Sequence, residues 1–81
     1  MERSEVANRL SEVLVSELGL EQSKISEEAH FEEDLDVDSL GVVELLMALE
    51  DEFDITVEEE ELEDIKTVGH ALDMVTAKLG S

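Results

Sequence analysis

The chain has no cysteine, no proline, no tryptophan and no tyrosine, and only two phenylalanines among its 81 residues. Without cysteine there is no disulfide framework, no zinc-finger ligand set and no thiol nucleophile, so any sulfur chemistry has to come from an added group. Long apolar runs are missing too. The opening stretch "MERSEVANRL" is charged, which argues against a signal peptide and a membrane span and predicts a soluble, cytoplasmic protein without membrane insertion. Basic residues are scarce: five Lys and Arg face 24 Asp and Glu, a formal charge of −19. Nucleic acid and anionic membranes would repel such a chain, so its protein partners are expected to be basic. The five cations are Arg3, Arg9, Lys24, Lys66 and Lys78, and between Ile25 and Ile65 there are 18 acids and no base. The 42% hydrophobic content is too high and too periodic for a disordered acidic chain. It predicts a single domain over residues 1–81 with a thin aliphatic core.

The apolar residues that are present recur at helical spacing. Val6, Leu10, Val13, Leu14 and Leu18 form a first stripe that stops at Gly19, a good C-terminal signal. From Gly19 to Asp38 no long periodic element follows. Leu20, Ile25, Phe31, Leu35 and Val37 are spaced like anchors there, with one short turn expected at "SEEAH"; a loop this long in a small domain is usually functional or packed by its own side chains. A second helix is predicted from about Ser39 to Phe53, capped by Asp38 or Ser39, with Val42, Leu45, Leu46, Leu49 and Phe53 as its core stripe. A short acidic piece near Glu58–Asp64 follows, led in by Ile55 and Val57. Thr67 then caps a last helix with the stripe Val68, Ala71, Leu72, Val75 and Leu79, closed by Gly80. The expectation is an all-α fold, a small four-helix bundle of three main helices and one short one.

The second helix has more apolar surface than one core contact uses. At about 100° per residue, Leu40, Val43 and Met47 point away from the core stripe and share their face with Glu44 and Asp51. Aliphatic grip set among carboxylates, on the most acidic half of the chain, predicts a docking surface for basic partners.

The stretch "DLDVDSLGVVELL", Asp34 to Leu46, admits three readings. As a calcium loop beginning at Asp34 it places Asp34, Asp36 and Asp38 correctly. It then needs Gly at the sixth position and Glu at the twelfth, where Ser39 and Leu45 stand; no metal site is assigned. His30 and His70 stand apart, without paired ligand spacing, and read as surface or capping residues. In the second reading Asp38 and Ser39 simply cap the helix, which leaves Gly41 unexplained, since glycine in a helix costs about 1 kcal/mol relative to alanine. A small residue there would leave room beside Ser39. In the third reading Ser39 is modified: a phosphodiester on its oxygen would lie against free backbone amides and the positive end of the helix dipole. An enzymatic nucleophile is not supported, because "VDSLG" is not G-x-S-x-G and Ser39 has no base near it in sequence.

Taken together, "DLDVDSLGVVELLMALEDEFDI", the leading helix, the long loop with Phe31 and the closing "TVGHAL" closely resemble the acyl carrier proteins of dissociated fatty acid synthases, over nearly the whole chain. The resemblance implies a non-catalytic carrier whose Ser39, preceded by the family's acid at Asp38, takes 4'-phosphopantetheine from coenzyme A through a separate magnesium-dependent holo-carrier-protein synthase, making it a phosphoprotein. The arm's thiol would hold growing acyl chains as thioesters. It also implies that Leu40, Val43, Glu44, Met47 and Asp51 meet basic patches on ketoacyl synthases, reductases, dehydratase and acyltransferases. Because the family carries its acyl chain between helices, Val42, Leu45, Leu46, Phe53, Ile65, Ala71 and Leu72 are assigned to the cavity lining, and the carrier is expected to be a monomer.

Three departures qualify the pathway. Gly41 replaces the acid or polar residue common after "DSL", removing one docking charge. Val42 and Ile55 are more apolar than usual, and "VEEEEL" lacks the proline often found before the third helix. Polyketide and D-alanyl carriers share the same plan, and an acidic docking or calcium-binding module without a prosthetic group is the alternative of another class. Peptidyl carriers are disfavoured, since the glycine-histidine pair typical before their serine is absent.

Overall fold

The computed structural model describes residues 2–80. Four helices follow in order: α1 (Arg3–Leu18), α2 (Ser39–Phe53), α3 (Glu59–Asp64) and α4 (Val68–Gly80), with a single 3-10 turn at Gln22–Lys24. No strand occurs among the described residues beyond one isolated antiparallel bridge between His30 and Thr67.

The three long helices form where the apolar stripes are, because each stripe is one face of a 3.6-residue period and must be buried. From α1 the core takes Val6, Leu10, Val13 and Leu14, from α2 Val42, Leu45, Leu46, Leu49 and Phe53, and from α4 Val68, Ala71, Leu72 and Val75. All three pack against one another. The fourth helix, α3, is only six residues long and buries none of them fully; Leu62 leans on the core from its edge. Among the described residues no polar or charged residue is buried, so the interior is aliphatic apart from Phe31 and Phe53.

Helix ends are set by local chemistry. The chain leaves α1 through Gly19, whose left-handed φ of 67° lets the Gly19 and Leu20 N–H groups return to the Val15 and Leu14 carbonyls. A second left-handed residue, Asp54 at φ 54°, ends α2; a short polar side chain tolerates that region. At α4 the cap is reciprocal. Thr67 Oγ1 accepts the His70 N–H (3.1 Å), while His70 Nδ1 accepts the N–H groups of Thr67 (3.3 Å) and Lys66 (3.1 Å). Gly80 is the last helical residue rather than the stop beyond it.

The long α1–α2 loop is tied down by backbone. Its Ala29, Phe31, Leu35 and Val37 are buried. The Phe31 N–H donates to the Lys66 carbonyl (3.0 Å), the Val68 N–H to Ala29 (3.0 Å) and the Gly69 N–H to Glu27 (2.9 Å). The short turn expected at "SEEAH" is present, closed by the Ala29 N–H donating to the Ser26 carbonyl (3.1 Å), and the 3-10 turn at Gln22–Lys24 is a separate element upstream of it. Residues 26–30 make only a tight turn, because their backbone groups are committed to the α3–α4 joint. Outside, Arg3 links the same regions, donating to Asp73 of α4 (2.6 Å) and to Glu27 of the loop.

Candidate functional site

Ser39 is the first residue of α2 and is exposed. Asp38, in an extended conformation just before it, accepts the Gly41 N–H on Oδ1 (2.9 Å), and its carbonyl takes the Val42 N–H (3.0 Å). The Ser39 and Leu40 N–H groups have no protein acceptor among the described residues. The serine oxygen therefore sits at a capped helix start with two backbone donors facing solvent, at the positive end of a 15-residue helix.

Beside it opens a cavity of about 500 Å³. Its walls are apolar: Phe31 from the loop, Val42 and Val43 from α2, Leu62 from α3 and Ile65 from the α3–α4 joint. Its rim is polar, carrying Ser39, His30, Glu32, Glu33, Glu63 and Lys66. The α3 wall is held at its start by Glu61, whose carboxylate accepts the Glu58 N–H (2.8 Å) and lies 3.1 Å from Lys78 Nζ. The backbone donor, seconded by Lys78 and opposed by partial desolvation, holds the Glu61 carboxyl below the usual glutamate range.

Of the residues assigned to a cavity from the sequence, Val42 and Ile65 line this space. Leu45, Leu46, Phe53, Ala71 and Leu72 instead lie in the close-packed core, from fully enclosed to 6% exposed. Phe31, Val43 and Leu62 complete the walls although no periodic pattern singles them out for it. Their signal is tertiary, since the loop, α2 and α3 converge only once the chain has folded.

On the outer face of α2, Leu40 is 65%, Met47 61% and Val43 37% exposed. Glu44 and Asp51 are exposed on the same helix, so the apolar group and its flanking carboxylates form a stripe that runs along α2 from the turn that carries Ser39. Asp34 and Asp38 of the aspartate-rich stretch are engaged locally: Asp34 Oδ2 accepts the His30 N–H (2.8 Å) and Asp38 caps α2. Asp36 sits at a left-handed turn with φ 57°. Among the described residues no three His, Asp or Glu side chains are grouped to hold a metal ion, and no helix is long and apolar enough to cross a membrane.

Comparison with known proteins gives this geometry a context. The family described as the phosphopantetheine attachment site matches residues 8–75. An acyl carrier protein of Saccharopolyspora erythraea is 47% identical over 74 residues, covering 91% of this chain and 78% of that protein. One of Petrotoga mobilis is 42% identical over 79 residues, covering 98% and 93%. The crystal structure of an acyl carrier protein from Thermotoga maritima has the same fold, with a TM-score of 0.86 at 35% identity over 99% of this chain and 93% of that one.

Proposed function

The chain belongs to the phosphopantetheine-attachment family as an acyl carrier protein, a carrier rather than a catalyst, and from that premise we propose that it serves fatty acid synthesis with its arm on Ser39. 4'-Phosphopantetheine supplies a terminal thiol that holds an acyl group as a thioester, the sulfur chemistry this cysteine-free chain lacks.

The observation that carries the choice of Ser39 is its position: an exposed hydroxyl at the capped start of α2, on the rim of the apolar-walled cavity. The surroundings fit the group. The Ser39 and Leu40 N–H groups and the α2 dipole favour an anion at the serine oxygen. Asp38 keeps α2 wound up to Ser39 by capping Gly41, and so presents the hydroxyl outward to a transferase. Phe31, Val42, Val43, Leu62 and Ile65 offer an apolar surface to an acyl chain and shield it from water.

The outer face of α2 is the proposed docking surface. Leu40, Val43 and Met47 provide contact area, and Glu44 and Asp51 attract basic patches on the holo-carrier-protein synthase and on the synthases, reductases, dehydratase and acyltransferases that act on the cargo. Tethering then replaces diffusion of free acyl groups by delivery at high effective concentration.

Intact mass after incubation with coenzyme A, magnesium and a phosphopantetheinyl transferase tests both parts. The wild type should gain one phosphopantetheine and Ser39→Ala none. Glu44→Lys combined with Asp51→Lys should load at least tenfold more slowly while retaining its helix content. Loading of Ser39→Ala would move the attachment site, and unchanged kinetics in the double variant would remove the charged face from docking. Turnover of the loaded chain by fatty acid elongation enzymes, set against polyketide synthase modules, separates the two pathways.

A further inference from the structure

Of the five cations, three are committed to ion pairs across elements: Arg3 with Glu27 and Asp73, Arg9 with Glu52, and Lys78 with Glu61. Lys24 and Lys66 have no ion pair among the described residues. For Lys66 this is unexpected, because it follows a run from Ile25 to Ile65 that contains 18 acids and no base, and it is the one cation lining the cavity that Ser39 also lines. Its backbone is already spent: the N–H donates to His70 Nδ1 and the carbonyl accepts the Phe31 N–H. The exposed ammonium is the polar group Lys66 has left to offer.

A phosphodiester formed at Ser39 would add negative charge to a rim that already carries Glu32, Glu33 and Glu63, with Asp38 adjacent. The two free amides and the helix dipole favour it locally. Against the surrounding carboxylates, the rim supplies one Lys or Arg, Lys66. We propose that Lys66 is a positioning residue for the prosthetic arm: its ammonium attracts the phosphodiester on Ser39 and draws the arm toward the mouth of the cavity between α2 and the α3–α4 joint. The proposal rests on Ser39 being the attachment site. The backbone ties of Lys66 give it a mechanical basis, since the side chain starts from a fixed segment rather than a free loop, and less backbone ordering is needed to hold the arm there.

The test uses the full chain, unloaded and loaded, as wild type, Lys66→Gln, Lys66→Arg and Lys24→Gln, with intact mass recorded for each. In the wild type the Lys66 ε-methylene NMR resonances should shift on loading while those of Lys24 stay in place. The phosphorus-31 resonance of the loaded protein should move in Lys66→Gln, return toward its wild-type position in Lys66→Arg and remain there in Lys24→Gln. Added salt should move the wild-type signal toward the Lys66→Gln value, because an exposed charge pair is screened. Correct loading with one unchanged phosphorus signal across all four proteins would overturn the role of Lys66 and leave the attachment site intact. Failure of the wild type to gain the arm would overturn both.

Discussion

A β-carbon at Gly41 would stand 2.7 Å from Val37 Cγ1 and 3.5 Å from Asp38 Oδ1. This explains the glycine that the helical pattern leaves unaccounted for. The space it keeps open is filled by the buried Val37 side chain, not reserved beside Ser39 as the sequence suggests. Val37 is β-branched and 7% exposed, so it has little freedom to turn aside. Two effects therefore compete in Gly41→Ala: a helix-propensity gain of up to about 1 kcal/mol and an overpacking cost of about 1–3 kcal/mol. Because the contact is to a constrained side chain, overpacking wins, and Gly41→Ala is expected to destabilise the fold by about 1 kcal/mol. In a Val37→Ala background the same change should become neutral or stabilising, and chemical denaturation of the four proteins in a double-mutant cycle measures the coupling. Additive effects would show that Val37 is not what Gly41 accommodates. Capping roles are similarly only half legible in the sequence. Thr67 is visible as a cap by its position, but His70 Nδ1 as the acceptor for two backbone N–H groups depends on a ring orientation that spacing alone does not give.

Among the elements, α1, α2 and α4 follow directly from their stripes, because each buries one face and the period of that face is written in the order of the side chains. The α1–α2 loop does not, since its ties to Lys66, Val68 and Gly69 are backbone bonds that any residue type could make. For the same reason the cavity is only partly legible: Val42 belongs to the α2 stripe and Ile65 is reached through the family resemblance, whereas Phe31 and Leu62 meet them only through tertiary placement. The weakest element is α3, too short to be stable alone and without a buried residue. Its start depends on the Glu61 carboxylate accepting the Glu58 N–H, the interaction that lowers the Glu61 pKa most. A carboxyl depressed in the folded state contributes stability that is fully present above its unfolded value and is lost as pH falls through the folded one. Acidification below the ordinary glutamate range should therefore loosen α3 before the three long helices, seen as faster amide exchange and a coupled titration of the Glu58 and Glu61 amide shifts. Glu61→Gln keeps an acceptor at that position and should remove the pH dependence of the Glu58 amide attributable to this contact while preserving α3 at neutral pH. A Glu58 amide that follows the same pH course in Glu61→Gln would assign the loosening to the general charge of the chain.

For the molecule as a whole, −19 charges are spread over a body with a radius of gyration of 11.3 Å, and the interior that must hold them together is small and aliphatic. Carboxylates repel across distances comparable to the Debye length, about 10 Å at 0.1 M salt, so the folded state is opposed by its own field. The ion pairs of Arg3, Arg9 and Lys78 join α1 to the loop and α4, α1 to α2, and α4 to α3, but all are at least partly exposed and none compensates more than locally. Sodium chloride should therefore raise the thermal midpoint steadily from low salt to several tenths molar, the gain flattening as the Debye length falls below the spacing of the charges. Magnesium and calcium should act at lower concentration, because they accumulate more strongly around dense carboxylates. Their effect should have no stoichiometric end point, since no group of three His, Asp or Glu ligands is assembled among the described residues. Calorimetric titration alongside thermal melts separates the two behaviours. A single saturable calcium site with a matching conformational change would contradict the screening account, whereas a graded rise shared by all three salts assigns the stabilisation to screening. The same charge density would then link folding to docking: a basic partner on the α2 face relieves repulsion that salt otherwise screens, so partner affinity should fall with the ionic strength that makes the free carrier more stable.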